Sequence, residues 1–155
     1  MLKVASGGQT GVDRAALDAA RALGLPTGGW CPRGRLAEDG AIAADYPLLE
    51  TPSEDYAQRT EWNVRDADAT LVLTRGRPSP GTALTIELAR RLERPLLVLD
   101  LRDDPDPGAV AAFVGDGAIA LLNVAGPRES QSPGIGQEAR AFLERAFRLV
   151  TSTRA

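Results

Sequence analysis

The stretch Ser6-Gly7-Gly8-Gln9-Thr10-Gly11-Val12-Asp13-Arg14 follows a short apolar run at residues 2–5 and opens into an alanine-rich segment with helical spacing. Strand, glycine turn and helix in that order make the first unit of a parallel α/β sheet. Glycines let a bound group approach the backbone, and the unpaired N–H groups and partial positive charge of a helix N-terminus favour an oxyanion. The segment therefore reads as an anion-binding cradle, expected to take a phosphate through Gly7, Gly8, Gln9, Thr10 and Gly11. A tight turn without a ligand is the plainer alternative, but it has no need of the side-chain hydrogen bonds that Gln9 and Thr10 supply. The loop neither ends in Gly-Lys-Ser/Thr nor spells G-x-G-x-x-G, which disfavours ATP hydrolysis.

Working outward, apolar runs at residues 70–74, 96–101 and 119–124 alternate with helical patterns at residues 13–23, 82–92 and 137–149. Weaker strands fit residues 27–30 and 46–49, and a helix over residues 53–66 is expected to start at Ser53 as N-cap. The fold class is α/β: one doubly wound, Rossmann-like domain over residues 1–150 with a tail at 151–155. Its sheet is mostly parallel, with about six strands and helices on both faces. The right-handed crossover rule leads to the expected strand order 3-2-1-4-5-6. In that order strands 1 and 4 are neighbours, so the loops at residues 6–11 and 75–82 line one crevice. Stretches rich in Pro and Gly at residues 75–81, 102–108 and 126–136 read as loops.

Composition narrows the chemistry. The chain has 155 residues, a net charge of −3 and no histidine, which disfavours duplex nucleic acid as a partner and removes His-based acid/base catalysis. Cys31 is the only cysteine, so no intrachain disulfide can form. With no apolar run near the length of a membrane helix, a soluble, cytoplasmic protein is expected.

Asp13, in the first helical turn, either stabilises the helix dipole or holds a ribose hydroxyl, a ring N–H or a hydrated Mg²⁺. Gly81 and Thr82 open the helix at residues 82–92, where Thr82 either caps it or meets a second oxyanion. After the second strand, Trp30 either stacks on a ligand or packs in the core, Arg33 or Arg35 is placed to pair with that ligand, and Cys31 reads as buried packing. Arg59 and Asn63 share a helix face, with Tyr56 one turn earlier. They either point to the pocket or form an ordinary polar face. The polar segment at residues 123–130 reads as a lid or a subunit contact.

Five segments, Ser6-Gly-Gly-Gln-Thr-Gly-Val-Asp-Arg14, Gly28-Gly-Trp-Cys-Pro32, Arg59-Thr-Glu-Trp-Asn63, Gly81-Thr-Ala-Leu-Thr85 and Asn123-Val-Ala-Gly-Pro-Arg-Glu-Ser130, together resemble the family of molybdenum carrier or molybdenum-cofactor carrier proteins. That family is similar to the lysine-decarboxylase-like, lonely-guy-type phosphoribohydrolases, which implies a nucleotide or pterin phosphate in the crevice. The enzyme signature P-G-G-x-G-T-x-x-E places a glutamate three residues after its threonine, where this chain has Thr85. Glu87 comes two residues later, about 200° around the helix axis.

The resemblance thus implies a non-catalytic carrier for molybdenum cofactor or molybdate, with a nucleotide or phosphate as the alternative ligand. The phosphate is expected at residues 7–11 or at Gly81 and Thr82, and the pterin edge at Asp13, Asn63 or an arginine such as Arg33 or Arg59. A nucleotide-processing enzyme using Asp13, Glu61 or Glu87, and a nucleotide-sensing module, are the competing expectations. Related folds also imply a homo-oligomer.

Overall fold

The computed structural model describes residues 1–154, without the side chain of Arg154. Its elements in chain order are β1 (Lys3–Ala5), α1 (Val12–Ala22), β2 (Thr27–Gly28), β3 (Trp30–Cys31), β4 (Leu36–Ala37), β5 (Gly40–Ala41), β6 (Leu49–Glu50), α2 (Tyr56–Asp66), β7 (Ala69–Thr74), α3 (Pro80–Arg91), β8 (Leu96–Asp100), α4 (Gly108–Asp116), β9 (Leu121–Ala125) and α5 (Ile135–Arg154). Five strands form one all-parallel sheet in the order β2-β1-β9-β7-β8. The α/β class and parallel winding are as expected. The sheet has one strand fewer than expected, and its order differs.

The last strand corrects the expected order. Instead of lying at the edge, β9 enters between β1 and β7, pairing Ala5 with Asn123 on one side and Thr70 with Asn123 on the other. Central strands are covered on both faces, and Leu122, Asn123 and Val124 are buried, whereas β8 at the edge is half-exposed. The crossover rule sets the hand of a connection and not how many strands it passes over. Nothing local in residues 119–124 encodes that choice.

Strand alternation sorts the two faces. Leu71, Leu73, Leu122 and Val124 join the large core with α1, α4 and α5, while Leu96 packs with Val64 of α2 and with Leu88 and Ala89 of α3. Thr70 and Asn123 point away from the large core, and Asn123 Nδ2 donates to Thr70 Oγ1 at 3.3 Å.

The expected third strand does not join the sheet. Gly29 adopts φ +124° and turns the chain away after β2, so Trp30–Cys31 pairs with Leu49–Glu50 as a separate parallel ladder. Between them Arg35 donates to the carbonyls of Ile42, Ala43, Tyr46 and Leu48, which holds that segment as a compact loop. Its guanidinium is therefore structural and not free for a ligand.

Helix starts also shift. The residue before the first turn of α2 is Asp55, whose side chain makes no cap bond, and not Ser53, whose N–H donates to Gln58 Oε1 and whose Oγ accepts from Asp55 N–H. α3 starts two residues early because Pro80 suits the first helical position, which puts Thr82 inside the helix and not at its cap. α4 has no counterpart in the sequence reading; Val110 and Val114, four apart, anchor it in the large core. α5 continues through Arg154, across most of the expected tail, and Ala155 lies outside the described residues. Among the described residues no helix is long and apolar enough to cross a membrane.

Candidate functional site

At the carboxyl end of the sheet a cleft of about 110 Å³ is lined by the turn after β1, the segment after β9, α2 and the amino end of α3. Gly7, Gln9, Asp13, Arg59, Asn63, Gly81 and Thr82 line it; Gly8, Thr10, Gly11 and Arg33 do not. Both glycine-bearing loops thus meet one cleft, with Asn123 and Gly126 of the inserted strand and its exit also in the lining.

The first loop is less of a cradle than its sequence suggests, because the protein itself takes up most of its donors. Gly8 N–H donates to Ser6 Oγ at 3.3 Å, Thr10 N–H to Gln9 Oε1 at 3.1 Å and Gln9 N–H to the Asp13 carboxylate. Val12 N–H, at the start of α1, donates to Pro127 O at 3.2 Å, so a carbonyl occupies the helix end expected to hold an anion. Thr10 and Gly11 serve this closure. Thr10 Oγ1 accepts from Glu129 N–H at 3.1 Å, and a Cβ on Gly11 would come within 2.8 Å of Arg128 Cα. A Cβ on Gly8 would instead lie 2.9 Å from Ile42 Cδ1, in the small core that also buries Cys31. Burial pushes the Cys31 thiol up, which makes it a poor nucleophile.

The amino end of α3 is the open one. The side chain of its cap residue, Ser79, makes no bond to the helix amides; Ser79 Oγ pairs with Thr82 Oγ1 at 3.1 Å, and only the Ser79 carbonyl takes a helix N–H, that of Ala83. Among the described residues no partner takes the N–H groups of Gly81 and Thr82, and a Cβ on Gly81 would meet nothing within 4 Å. Uncapped amides, two hydroxyls and open space in front of a helix end suit a tetrahedral oxyanion. Thr85, at the enzyme glutamate's spacing, only donates to its own helix carbonyl at Gly81. Glu87 pairs with Arg91 on the exposed side of α3, consistent with the expected rotation.

Beside this end lies a buried ion pair. Arg59 Nη1 is 3.0 Å from Gly7 O and 3.4 Å from Asp13 Oδ2, and Nε donates to Tyr56 O at 3.2 Å. Gly7 is obligatory for this approach, since a Cβ there would overlap the guanidinium and lie 2.8 Å from Cζ. Burial raises the Asp13 carboxyl from 3.8 to about 6, against the opposing pull of Arg59, the Gln9 N–H and Arg14. Between those values only the folded state holds the proton, so stability falls as pH rises from 3.8 to about 6. The difference corresponds to roughly 3 kcal/mol. Asp13→Asn keeps an acceptor for the Gln9 N–H and removes the titration. Urea midpoints measured across this pH range should fall for the wild type relative to the variant, and parallel curves would refute the assignment.

Other expected ligand contacts serve the scaffold. Asn63 lines the cleft, but its Oδ1 accepts from Trp30 N–H at 2.8 Å and its Nδ2 donates to Trp30 O at 2.9 Å, pinning β3 to α2. Trp30 does not line the cleft; it packs edge-on against Trp62 and donates to Asp66 at 2.8 Å. Arg33 lies outside the cleft, exposed and paired with Glu54 at 3.1 Å. Conversely, Arg128 was seen from sequence only as part of a lid or contact segment. It lines the cleft, and its guanidinium makes no hydrogen bond or ion pair among the described residues; it lies 5.9 Å from the Tyr56 ring centroid, and Arg59 lies 5.1 Å from the same ring. Its role depends on β9 lying beside β1, which no local signal reveals.

A parallel α/β sheet with a polar cleft and an open helix end at its carboxyl edge defines a Rossmann-like protein. Residues 4–147 match the model of the circularly permutated YpsA SLOG family, and the chain belongs to that family. It is similar to the crystal structure of a putative molybdenum carrier protein from Syntrophus aciditrophicus SB, with 43% identity over 94% of each chain and a TM-score of 0.88. The resemblance drawn from the five sequence segments is thereby borne out. No curated protein matches.

Proposed function

We propose that the protein is a non-catalytic carrier that holds a phosphate-bearing small molecule or an oxyanion at the amino end of α3. The observation that carries this reading is the set of unused donors around one cleft: the N–H groups of Gly81 and Thr82, the Arg128 guanidinium and Gln9 Nε2. Similarity to the protein named as a molybdenum carrier makes molybdenum cofactor or molybdate the favoured cargo, ahead of a nucleotide. Among the described residues no group of His, Cys, Asp and Glu is suited to a metal ion. In this reading the protein therefore grips the cofactor by its phosphate, and molybdate by its oxygens. The cytoplasm and a homo-oligomeric state complete the proposal.

Protein purified from a cofactor-producing host should carry molybdenum by elemental analysis and release a fluorescent oxidised pterin. Added molybdate or phosphate should raise the melting temperature. Arg128→Ala should weaken oxyanion binding by roughly tenfold, the value of a charged hydrogen bond. Absence of metal, pterin and thermal protection together would overturn the proposal.

One observation favours a second reading, a nucleotide-processing enzyme. Asp13, with its carboxyl raised to about 6, lines the cleft and has the pKa of a general acid/base. Incubation with nucleoside monophosphates, followed by chromatography, should release no more base from the wild type than from Asp13→Asn. Excess release would replace the carrier reading.

A further inference from the structure

Gln9 is 5% exposed and lines the cleft, yet its side chain is used on one side only. Oε1 accepts two N–H groups, that of Thr10 at 3.1 Å and that of Glu38, between β4 and β5, at 2.8 Å. Turning the amide over would set its NH₂ against both donors, so its orientation is determined by its surroundings. Nε2 is then left buried with no acceptor among the described residues. Native proteins rarely leave such a donor without a purpose, because its desolvation is uncompensated.

Glu38 does a second thing. Its carboxylate accepts from Ser130 N–H at 3.1 Å and from Ser130 Oγ at 2.7 Å, which ties down the segment that carries Arg128 into the cleft. One residue of the β4–β5 hairpin thus orients the Gln9 amide and anchors the arginine segment.

We infer that Gln9 is a specificity-determining residue of the cleft, whose Nε2 donates to an oxygen of the bound anion and so selects ligands that present an acceptor there. The β4–β5 hairpin, through Glu38, is the positioning element. This inference rests on the cleft binding an oxyanion, as proposed above. Molybdate, an acceptor on every side, satisfies Nε2 in any orientation, and a phosphate dianion does so through its unprotonated oxygens; a group turning an N–H toward it is rejected.

Gln9→Glu separates this role from a structural one. The carboxylate still accepts from Thr10 and Glu38 but replaces the Nε2 donor with a negatively charged oxygen. Calorimetric titration near neutral pH with molybdate and with inorganic phosphate should show binding at least about tenfold weaker than wild type, in protein that still unfolds in one cooperative transition. Unchanged affinity in the variant overturns the inference alone. A wild-type protein that binds neither anion overturns the cleft reading, and this inference with it. Should the variant not fold, the ¹⁵N-labelled wild type decides: the Gln9 side-chain NH₂ signals should move on saturation with phosphate. Unmoved signals on a binding protein refute the contact.

Discussion

Gly29→Ala is expected to cost the protein about 4 kcal/mol, because two separate penalties fall on one residue. Gly29 sits at φ +124°, a conformation that alanine rarely adopts, and its added Cβ would overlap Ser6 O and lie 2.9 Å from Ser6 N. Those are backbone atoms at the exit of β1. They cannot swing aside as a side-chain tip would, and moving them displaces Gly7, whose carbonyl holds Arg59. Strain of this kind costs about 1–3 kcal/mol and overpacking a further 1–3 kcal/mol. Gly24→Ala is the control. Gly24 also has positive φ, +72°, but nothing lies within 4 Å of its added Cβ, so roughly 1 kcal/mol is expected. Urea unfolding of the two variants should differ by about 2 kcal/mol or more; equal losses would show that the close approach to Ser6 is not what makes Gly29 necessary.

Arg59→Leu should be comparably damaging, by about 3–5 kcal/mol near neutral pH. The substitution strips the donor from Gly7 O and Tyr56 O and leaves the Asp13 carboxylate buried without its nearest cation. Asp13 already titrates near 6 because burial outweighs the favourable charges, and loss of Arg59 must raise it further. The deficit should therefore shrink as pH is lowered and Asp13 becomes neutral in both proteins. Combining Arg59→Leu with Asp13→Asn should recover part of the loss, giving a coupling energy in a double-mutant cycle. Arg59→Lys should fall between, since an ammonium keeps the charge but cannot meet three acceptors with one planar fork. Additive losses with no pH dependence would show that the pair is not coupled.

These two variants also show how far the chain was readable. Gly29 carries no sign in the sequence that distinguishes it from Gly28; its necessity comes from Ser6, more than twenty residues earlier and one strand over. Asp13 and Arg59 were both singled out as candidate ligand contacts, on different elements and for separate reasons. That they meet each other, 46 positions apart and buried, changes what each can do. The same holds for Asn63, named for a helix face that does reach the cleft, whose amide is held by the backbone of Trp30.

Whether Thr82 caps the helix after residue 81 or leaves its end open was not legible in the residues alone, whereas the alternation of apolar strands and amphipathic helices, the glycine turn at residues 6–11 and the presence of that helix were. Each depends on neighbours within a turn or two of chain, where period and residue type are sufficient. The place of β9 between β1 and β7, the carbonyl of Pro127 on the first N–H of α1, and the bond between Thr10 and Glu129, 119 positions apart, came only from the folded chain. Backbone groups are the same at every residue, so which distant donor finds which acceptor is settled by the path of the main chain through space. That path closed the first glycine loop with the protein's own acceptors and left the N–H groups of Gly81 and Thr82 without a partner among the described residues.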